Sequence, residues 1–191
     1  MKQKKVILAD NSWIVHSIRD FNGSPVRRIG DEWMLVTAGS TEDDPGNWNT
    51  MTASWGHFGV LWGKDVAVMF IRPSRYTREF ADTNQLFTLS FFDKSHRDAL
   101  SFCGEKSGRD LDKAAETGLT PIVFGSGTAG GKITGAVGFK EASEIIVCKK
   151  IYTQDIIPDN FLDPDIGKVF YPKQDYHRMY VGEALALMTC K

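Results

Sequence analysis

The chain has 191 residues and a formal net charge of −1, with 42% hydrophobic and 25% charged residues, ordinary values for a globular protein. This charge balance argues against nucleic acid as a partner, and no apolar run approaches the ~20 residues that span a membrane or resembles a secretory signal. Three widely separated cysteines without a CxxC pair predict a reduced cytoplasmic protein, which we expect to fold as one domain over residues 1–191.

Strand signals dominate the first half of the chain. Four short runs are rich in β-branched or aromatic residues and are bounded by Gly, Pro, Asp or Asn. They are WMLVTAG (33–39), TMTASWG (50–56), DVAVMFI (65–71) and LFTLSFF (86–92). Their spacing is typical of a closed or nearly closed antiparallel barrel.

Short helices are predicted between and after these strands. Ser74 is a candidate N-cap for a helix within 74–85. A second helix is expected from Ser95 to Gly104, and a third within GRDLDKAAETG, which ends at Gly118.

The second half returns to strands. TPIVFG (120–125) and the segment 133–152 have strand character, whereas YHRMYVGEALAL (176–187) is compatible with a strand or a helix. The intervening glycines 125–131 match G-x-G-x-x-G in letters only, because the residues after them resist a helix and no acid follows at the expected distance. A flexible hairpin tip is the better interpretation.

The second predicted strand presents a row of small hydroxyl groups beside a tryptophan. Side chains alternate between the two faces of a strand. One face carries Thr50, Thr52 and Ser54, and the other carries Asn49, Met51, Ala53 and Trp55. Taken alone, the hydroxyls fit a solvent-facing strand surface, and the tryptophan fits a structural position in the core.

The next predicted strand ends in a cationic corner, IRPSRYTREF. Arg72 and Arg75 offer guanidinium groups suited to phosphate, and Ser74 and Thr77 offer hydroxyl donors where a helix is expected to begin. The same residues are explained equally well if the two arginines are solvated surface charges and Ser74 is only a helix cap. Beside the hydroxyl-bearing strand, however, the corner favours a site for an amphipathic mononucleotide.

The motifs NTMTASWG, RPSRYTREF, FTLSFF and SGRDLDK occur in this order, followed by DYHRMYVGEAL. Together they resemble the flavin reductase-like, FMN-binding split-barrel proteins, and the flavoredoxin group in particular, over residues 33–185. The resemblance implies a mainly β fold, a six-stranded antiparallel split β-barrel with short helical insertions. It also implies a homodimer that holds FMN noncovalently near the dimer interface and transfers electrons, often from NADH or NADPH.

Carried over position by position, the resemblance implies flavin contacts from three motifs and the tail. The implied cofactor-binding residues are Asn49, Met51, Thr52, Ser54, Trp55, Arg72, Ser74, Arg75, Tyr76, Thr77, Ser107, Arg109, Lys113 and His177. The strand motif would contact the ring and ribityl chain, the cationic corner would neutralise the phosphate, and His177 would lie near the ring. Without the resemblance, Lys113 would be interpreted as an ordinary solvated charge. The glycine-rich segment 125–131 is not part of the family pattern.

We therefore expect an FMN-dependent oxidoreductase, an NAD(P)H-dependent flavin or ferric reductase. No catalytic residue is assigned, because the flavin performs the redox chemistry itself. An FMN-carrying electron-transfer protein that serves a redox protein partner without using NAD(P)H is the main alternative. A non-flavin barrel that binds another small anion is a second. His16, His57 and His96 lack metal-ligand spacing, so no metal is expected.

Overall fold

Strands dominate the structure, a computed structural model that describes residues 4–10, 12–40, 43–125, 128 and 133–190. The strands are β1 (Ile7–Leu8), β2 (Trp13–His16), β3 (Met34–Gly39), β4 (Trp48–Ala53), β5 (Gly56–Leu61), β6 (Lys64–Ile71), β7 (Leu86–Phe91), β8 (Pro121–Phe124), β9 (Ala136–Phe139), β10 (Glu144–Asp155) and β11 (Arg178–Cys190).

The helices are short. They are α1 (Pro25–Arg27), which a π-helical turn continues through Arg28–Glu32, α2 (Thr77–Thr83), α3 (Arg97–Glu105), α4 (Lys113–Thr117) and α5 (Pro164–Phe170). Single 3-10 turns lie at Ile18–Asp20, Lys94–His96 and Pro158–Asn160. None of the helices in these described ranges has the length and apolar character needed to cross a membrane.

The main sheet is antiparallel and has eight strands. Its order is β4-β3-β7-β10-β11-β6-β5, and β2 pairs additionally with β11. The end strands β4 and β5 follow each other in the chain, and no pairing joins them within the described residues. A second sheet has the order β1-β8-β9, in which β1 runs parallel to β8. The mainly β, antiparallel prediction is confirmed, with eight strands in place of the expected six.

Both faces of the central part of the main sheet, in β3, β7 and the first half of β10, are buried. Met51 from β4 and Met69 from β6 share one cluster, which we call the inner core, so the sheet curls until its two halves face each other. In β3, Val36 joins the inner core whereas Leu35 joins a second cluster, the outer core, which includes Leu100 from α3. Burial on both faces explains why these strands are nearly continuous apolar runs.

The strand β5 was missed by the sequence pattern, because Gly56 and Gly59 interrupt its apolar run. It forms through a hairpin in which Leu61 pairs with Lys64. The two turn residues, Trp62 and Gly63, have φ values of 54° and 71°. Positive φ at both turn positions is the geometry that matches the twist of a two-residue hairpin. The geometry of the hairpin turn therefore stabilises a strand whose own residues have low β propensity.

The predicted N-cap of the helix after β6 was wrong. Ser74 lies in a turn, and α2 begins at Thr77 without a side-chain cap. The chain first closes two successive turns, in which the amide of Arg75 donates to the carbonyl of Arg72 and the amide of Arg78 donates to that of Arg75. These turns move the N-cap by two residues, from the predicted Ser74 to Tyr76.

Three further element predictions meet different outcomes. The next helical segment is capped by Asp93, whose carboxylate accepts the amide of Ser95, so the cap precedes the predicted residue. Gly118 ends α4 in the left-handed conformation, as predicted. The ambiguous segment 176–187 forms most of the strand β11. Most of the glycine-rich segment 125–131 (126, 127 and 129–131) lies outside the described residues.

Candidate functional site

A cavity of about 230 Å³ opens beside the connection between β4 and β5. Its lining combines apolar, hydroxyl and cationic side chains, and most of them belong to the predicted cofactor site. The lining residues are Met51, Thr52, Ala53, Ser54, Trp55, Phe70, Arg72, Arg75 and His177. The structure thus brings together residues that are far apart in the sequence.

One larger cavity, of about 290 Å³, contains Arg19, which pairs with Asp65 at 2.8 Å. Two more, of about 420 and 680 Å³, also lie elsewhere in the described part of the chain. In the first of these two, Arg97 donates to the carbonyls of Asp31 and Glu32. In the second, Arg28 pairs with Glu144 at 3.0 Å. Carboxylates such as Glu32, Glu144 and Asp65 line these larger cavities, whereas the described residues that line the cavity beside Trp55 include no carboxylate. The cavity beside Trp55 is therefore the clearest site for an anionic ligand.

Trp55 forms an aromatic wall of the candidate cavity. Its ring centroid lies 4.9 Å from that of His177 and 5.5 Å from that of Phe170. The residue is 38% exposed, because the chain leaves β4 at Ala53 and Trp55 lies in the connection to β5. This exposure argues against the core position that the strand pattern alone suggests, and it leaves part of the ring accessible from the cavity.

His177 is buried behind Trp55. Its Nδ1 shares a hydrogen bond of 2.8 Å with the hydroxyl of Tyr171. Burial first, and the positive charge of Arg72 second, lower the pKa of the imidazole to about 4. Near neutral pH the ring is therefore uncharged, and this wall of the cavity carries no ionic charge of its own.

Arg72 lines the cavity, but its charge is compensated within the chain. Its Nη1 donates to Asp175 at 2.8 Å, and its Nη2 donates to the carbonyl of Phe170 at 2.9 Å. The guanidinium also lies 5.0 Å from the ring centroid of Tyr171. These contacts fix the connection between α5 and β11 against the cavity, so Arg72 positions a wall.

Arg75, which lines the cavity, and its neighbour Ser74 are both exposed. The Nη1 of Arg75 donates to the carbonyl of Gly104 at 2.7 Å, at the end of α3. A helix C-terminus carries partial negative charge, which attracts this cation. The carbonyl contact leaves the formal charge of Arg75 uncompensated.

The hydroxyl row on β4 alternates as predicted, but its threonines are engaged inside the protein. Thr50 is buried and contacts the hydroxyl of Thr37 at 2.9 Å and the carbonyl of Val36 at 3.1 Å. Thr52 donates to the carbonyl of Leu100 on α3. The hydroxyls of these two residues stabilise the packing of β4, and the interpretation as a solvent-facing strand surface was wrong.

Asn49 joins three predicted motifs. Its Nδ2 donates to the hydroxyl of Thr77 at 2.9 Å. At Gly108 in the SGRDLDK turn, an added Cβ would lie 1.9 Å from the Oδ1 of Asn49, so only glycine allows this approach. In the same turn the hydroxyl of Ser107 accepts the amide of Arg109. The strand, the start of α2 and the turn therefore meet at Asn49.

Arg109 and Tyr76 form a separate contact at the edge of this region. The guanidinium of Arg109 lies 4.4 Å from the ring centroid of Tyr76 and pairs with Glu79. Tyr76 is buried. The two predicted residues pack against each other near α2, and the cation is already paired with a carboxylate.

Lys113 is buried, and the interpretation as an ordinary solvated charge was wrong. Its Nζ donates to the carbonyl of Thr50 at 2.9 Å and to that of Cys103 at 2.7 Å. Burial, partly offset by Cys103, lowers the pKa of the ammonium to about 8, and the charges of Arg75 and Lys4 act in the same direction as burial. Lys113 is still mostly charged at neutral pH.

Four residues of the site region escaped the sequence analysis: Phe70, Phe170, Asp175 and Lys4. Phe70 belongs to a predicted strand, and Asp175 lies within the tail motif, so position gave a weak signal for both. The other two carry no local signal. Among the described residues, no group of three or more His, Cys, Asp or Glu side chains is arranged to hold a metal ion.

Comparison with known proteins identifies the fold. No protein-family model matches the chain, and no curated protein sequence matches it. Solved structures do. An FMN-binding domain of a flavin reductases-like enzyme from Shewanella baltica OS155 has a TM-score of 0.62 and 16% identity, covering 95% of this chain and 79% of that chain. A flavoredoxin from Methanosarcina acetivorans has a TM-score of 0.59 and 20% identity, covering 82% and 67%.

The styrene monooxygenase flavin reductase from Pseudomonas putida S12 is a third match, with a TM-score of 0.52 and 13% identity, covering 83% of this chain and 80% of that chain. The chain therefore has the split-barrel fold of these flavin-binding proteins. The fold expected from the sequence motifs is confirmed.

Proposed function

We propose that this chain is an FMN-binding oxidoreductase, an NAD(P)H-dependent flavin or ferric reductase. The observation that carries the proposal is the continuity of two unlike surfaces, an aromatic cavity beside Trp55 and a group of cations around Lys113. Arg75 belongs to both, since it lines the cavity and lowers the pKa of Lys113. Flavin mononucleotide has two matching halves, a planar ring system and a dianionic phosphate.

The cationic half fits a phosphate. Arg75 and Lys113 are bonded to backbone carbonyls rather than carboxylates, so their charges are available to a dianion. Charge-assisted hydrogen bonds to phosphate are among the stronger polar contacts in proteins. Arg72, paired with Asp175, would contribute less to phosphate binding than its place in the motif implies.

The aromatic half fits a ring system. Trp55, Phe70 and Met51 offer apolar surface in the cavity lining, and the neutral His177 adds a polar but uncharged group. Bound FMN would supply the hydride and one-electron chemistry. The residues of the chain would bind and orient the ring and exclude water from it, which requires no nucleophile or general base.

A second copy of the chain would complete the site. Cofactor cavities usually measure ~300–1,000 Å³, and the cavity of a single chain measures about 230 Å³. At the tip of the β5–β6 hairpin, Val60 is 69% and Trp62 is 62% exposed, with the exposed Tyr152 beside them. Apolar side chains grouped in this way are typical of protein interfaces. We infer a homodimer that uses this hairpin.

The electron donor would be NADH or NADPH. The chain shows no separate dinucleotide-binding motif, so the nicotinamide would have to reach an exposed face of the flavin beside Trp55. The partial exposure of Trp55 is consistent with such access. The similarity to a flavoredoxin keeps a second candidate open, an FMN-carrying electron-transfer protein that passes electrons to a protein partner.

The test begins with the visible absorption spectrum of the freshly purified protein, with and without reconstitution by FMN. We then expect oxidation of NADH or NADPH, measured with and without added free flavin and ferric complexes. Bound FMN without oxidation of either nucleotide would favour the electron carrier. A colourless protein that cannot be reconstituted with FMN would contradict the proposal.

A further inference from the structure

Lys4 lies outside every motif of the sequence, yet its side chain reaches the candidate site. It precedes β1, and its Nζ donates to the carbonyl of Trp48 on β4. The Nζ also lies 3.5 Å from the Oδ1 of Asn49 and 4.5 Å from the ring centroid of Trp48. The ammonium is therefore fixed beside the strand that carries the first flavin motif.

Lys113 contacts the same edge of β4, two residues further along the strand than Lys4. Lys4 bonds to the carbonyl of Trp48 and Lys113 to that of Thr50. Carbonyls two residues apart on a strand point to the same side and are ~7 Å apart. The two ammonium groups consequently form a pair along the outer edge of the main sheet.

Arg75 adds a third cation to this pair. It bonds to the carbonyl of Gly104, and Lys113 bonds to that of Cys103, the preceding residue of α3. Both Arg75 and Lys4 lower the pKa of Lys113, so Lys113 lies within electrostatic reach of each of them.

The cluster lacks compensation. No ion pair within 4.0 Å joins Lys4, Arg75 or Lys113 to a carboxylate of the described residues. Asp112 acts on Lys4 only at longer range, and its carboxylate accepts the amides of Ala114 and Ala115. Like charges held together in partly buried surroundings are costly unless an anion neutralises them.

We propose that Lys4 forms, with Arg75 and Lys113, a subsite for a phosphate monoester dianion. The inference rests on the proposed function for its ligand, the phosphate of FMN, and adds a binding residue that no motif contains. Lys4 reaches the site from the amino-terminal segment, so this segment takes part in cofactor retention.

The test compares Lys4→Met and Lys4→Arg with the matched control Lys5→Met, since Lys5 is the exposed neighbour of Lys4. The affinities of the full chain for FMN and for riboflavin, which lacks the phosphate, are measured by titration. We expect Lys4→Met to weaken FMN binding by about tenfold, on the scale of a bond to a charged group. Riboflavin binding should stay unchanged, Lys4→Arg should restore most of the loss, and Lys5→Met should behave as the wild type.

A purely structural role of Lys4 at the sheet edge predicts a different result. In that case Lys4→Met would weaken both flavins equally, or neither, and the inference would be wrong while the proposed function stood. A second arm measures thermal stabilisation by inorganic phosphate. Stabilisation that disappears in Lys4→Met, in a protein that binds no flavin, would support the subsite and contradict the proposed function. If inorganic phosphate still stabilises both Lys4→Met and the control Lys5→Met, the proposed subsite is wrong.

Discussion

At the scale of single residues, the partner of each cation decides what that cation can do. Arg72 and Arg75 are three positions apart in one motif, yet among the described residues Arg72 pairs with Asp175 whereas Arg75 bonds to a carbonyl and to no carboxylate. A carboxylate cancels the charge of a guanidinium, and a carbonyl leaves it in place. Two residues with the same motif assignment therefore have different capacities to bind an anion.

Arg75→Ala should weaken FMN binding more than Arg72→Ala. For Arg75→Ala we expect a loss of about 1.5–3 kcal/mol, near the lower end because the side chain is exposed. Arg72→Ala should mainly lower thermal stability, since it leaves Asp175 without its partner. Fluorescence titration with FMN and thermal denaturation separate these effects. Equal losses of affinity in the two variants would contradict the distinction.

The imidazole of His177 makes stability depend on pH. Its pKa is about 4 in the folded chain, below the ordinary 6.5, so the unfolded chain takes up a proton first as the pH falls. The contribution of His177 to the free energy of unfolding is thus fully present above pH 6.5, and it is lost as the pH falls from 6.5 to about 4. We expect the wild type to lose more stability over this range than His177→Gln, measured as the melting temperature against pH. Parallel curves would show that another group is responsible.

At the scale of elements, a polar network attaches α2 to the sheet. Asp82, at the end of α2, accepts the hydroxyl of Tyr180 and pairs with Arg178 at 3.1 Å, both on β11. Arg178 also pairs with Asp155 at the end of β10. Burial, followed by the bond to Asp82, raises the pKa of Tyr180 well above its usual value. The network fixes the helix that follows the cationic corner.

Asp82→Ala should destabilise the fold by about 1–3 kcal/mol, because it leaves the hydroxyl of the buried Tyr180 without its acceptor. The matched control is Asp165→Ala, which removes an exposed pair with Lys168 and should cost less than about 0.5 kcal/mol. Chemical denaturation of both variants gives the comparison. Similar losses would mean that the network adds no more than a surface pair.

At the scale of the whole molecule, the main sheet curls, and its two end strands, β4 and β5, are consecutive in the chain. The connection between them, Ser54 and Trp55, lines the cavity, and the hairpin after β5 projects exposed apolar side chains. A cofactor site at the opening of a split barrel, completed by a second copy, would use both features. The fold thus relates the proposed dimer to the proposed site.

Trp62→Ser should shift the proposed homodimer to a monomer, because it removes the largest exposed apolar side chain of the hairpin tip. Leu162→Ser is a suitable control, since Leu162 is fully exposed in the connection before α5. Light scattering coupled to size-exclusion chromatography measures the molar mass of each. A monomeric wild type, or a dimer unaffected by Trp62→Ser, would contradict the assigned interface.

The sequence predicted most of the strands because burial on both faces produces long apolar runs, as in β3, β7 and β10. It predicted Gly118 as a helix terminus because only glycine adopts that left-handed conformation without cost. It missed β5, whose stability comes from its hairpin partner, and misplaced the start of α2, where backbone turns take precedence over the local cap signal.

The sequence by itself determined the fold class, the alternation of side chains along β4 and most of the residues that line the candidate cavity. Tertiary structure alone decided which of these groups remain free for a ligand. Thr52 bonds to a residue 48 positions away, Arg72 to one 103 positions away, and Lys4 to one 44 positions away. Alternation and turns depend on neighbours in the chain, whereas charge compensation and hydrogen bonding depend on partners that only folding brings close.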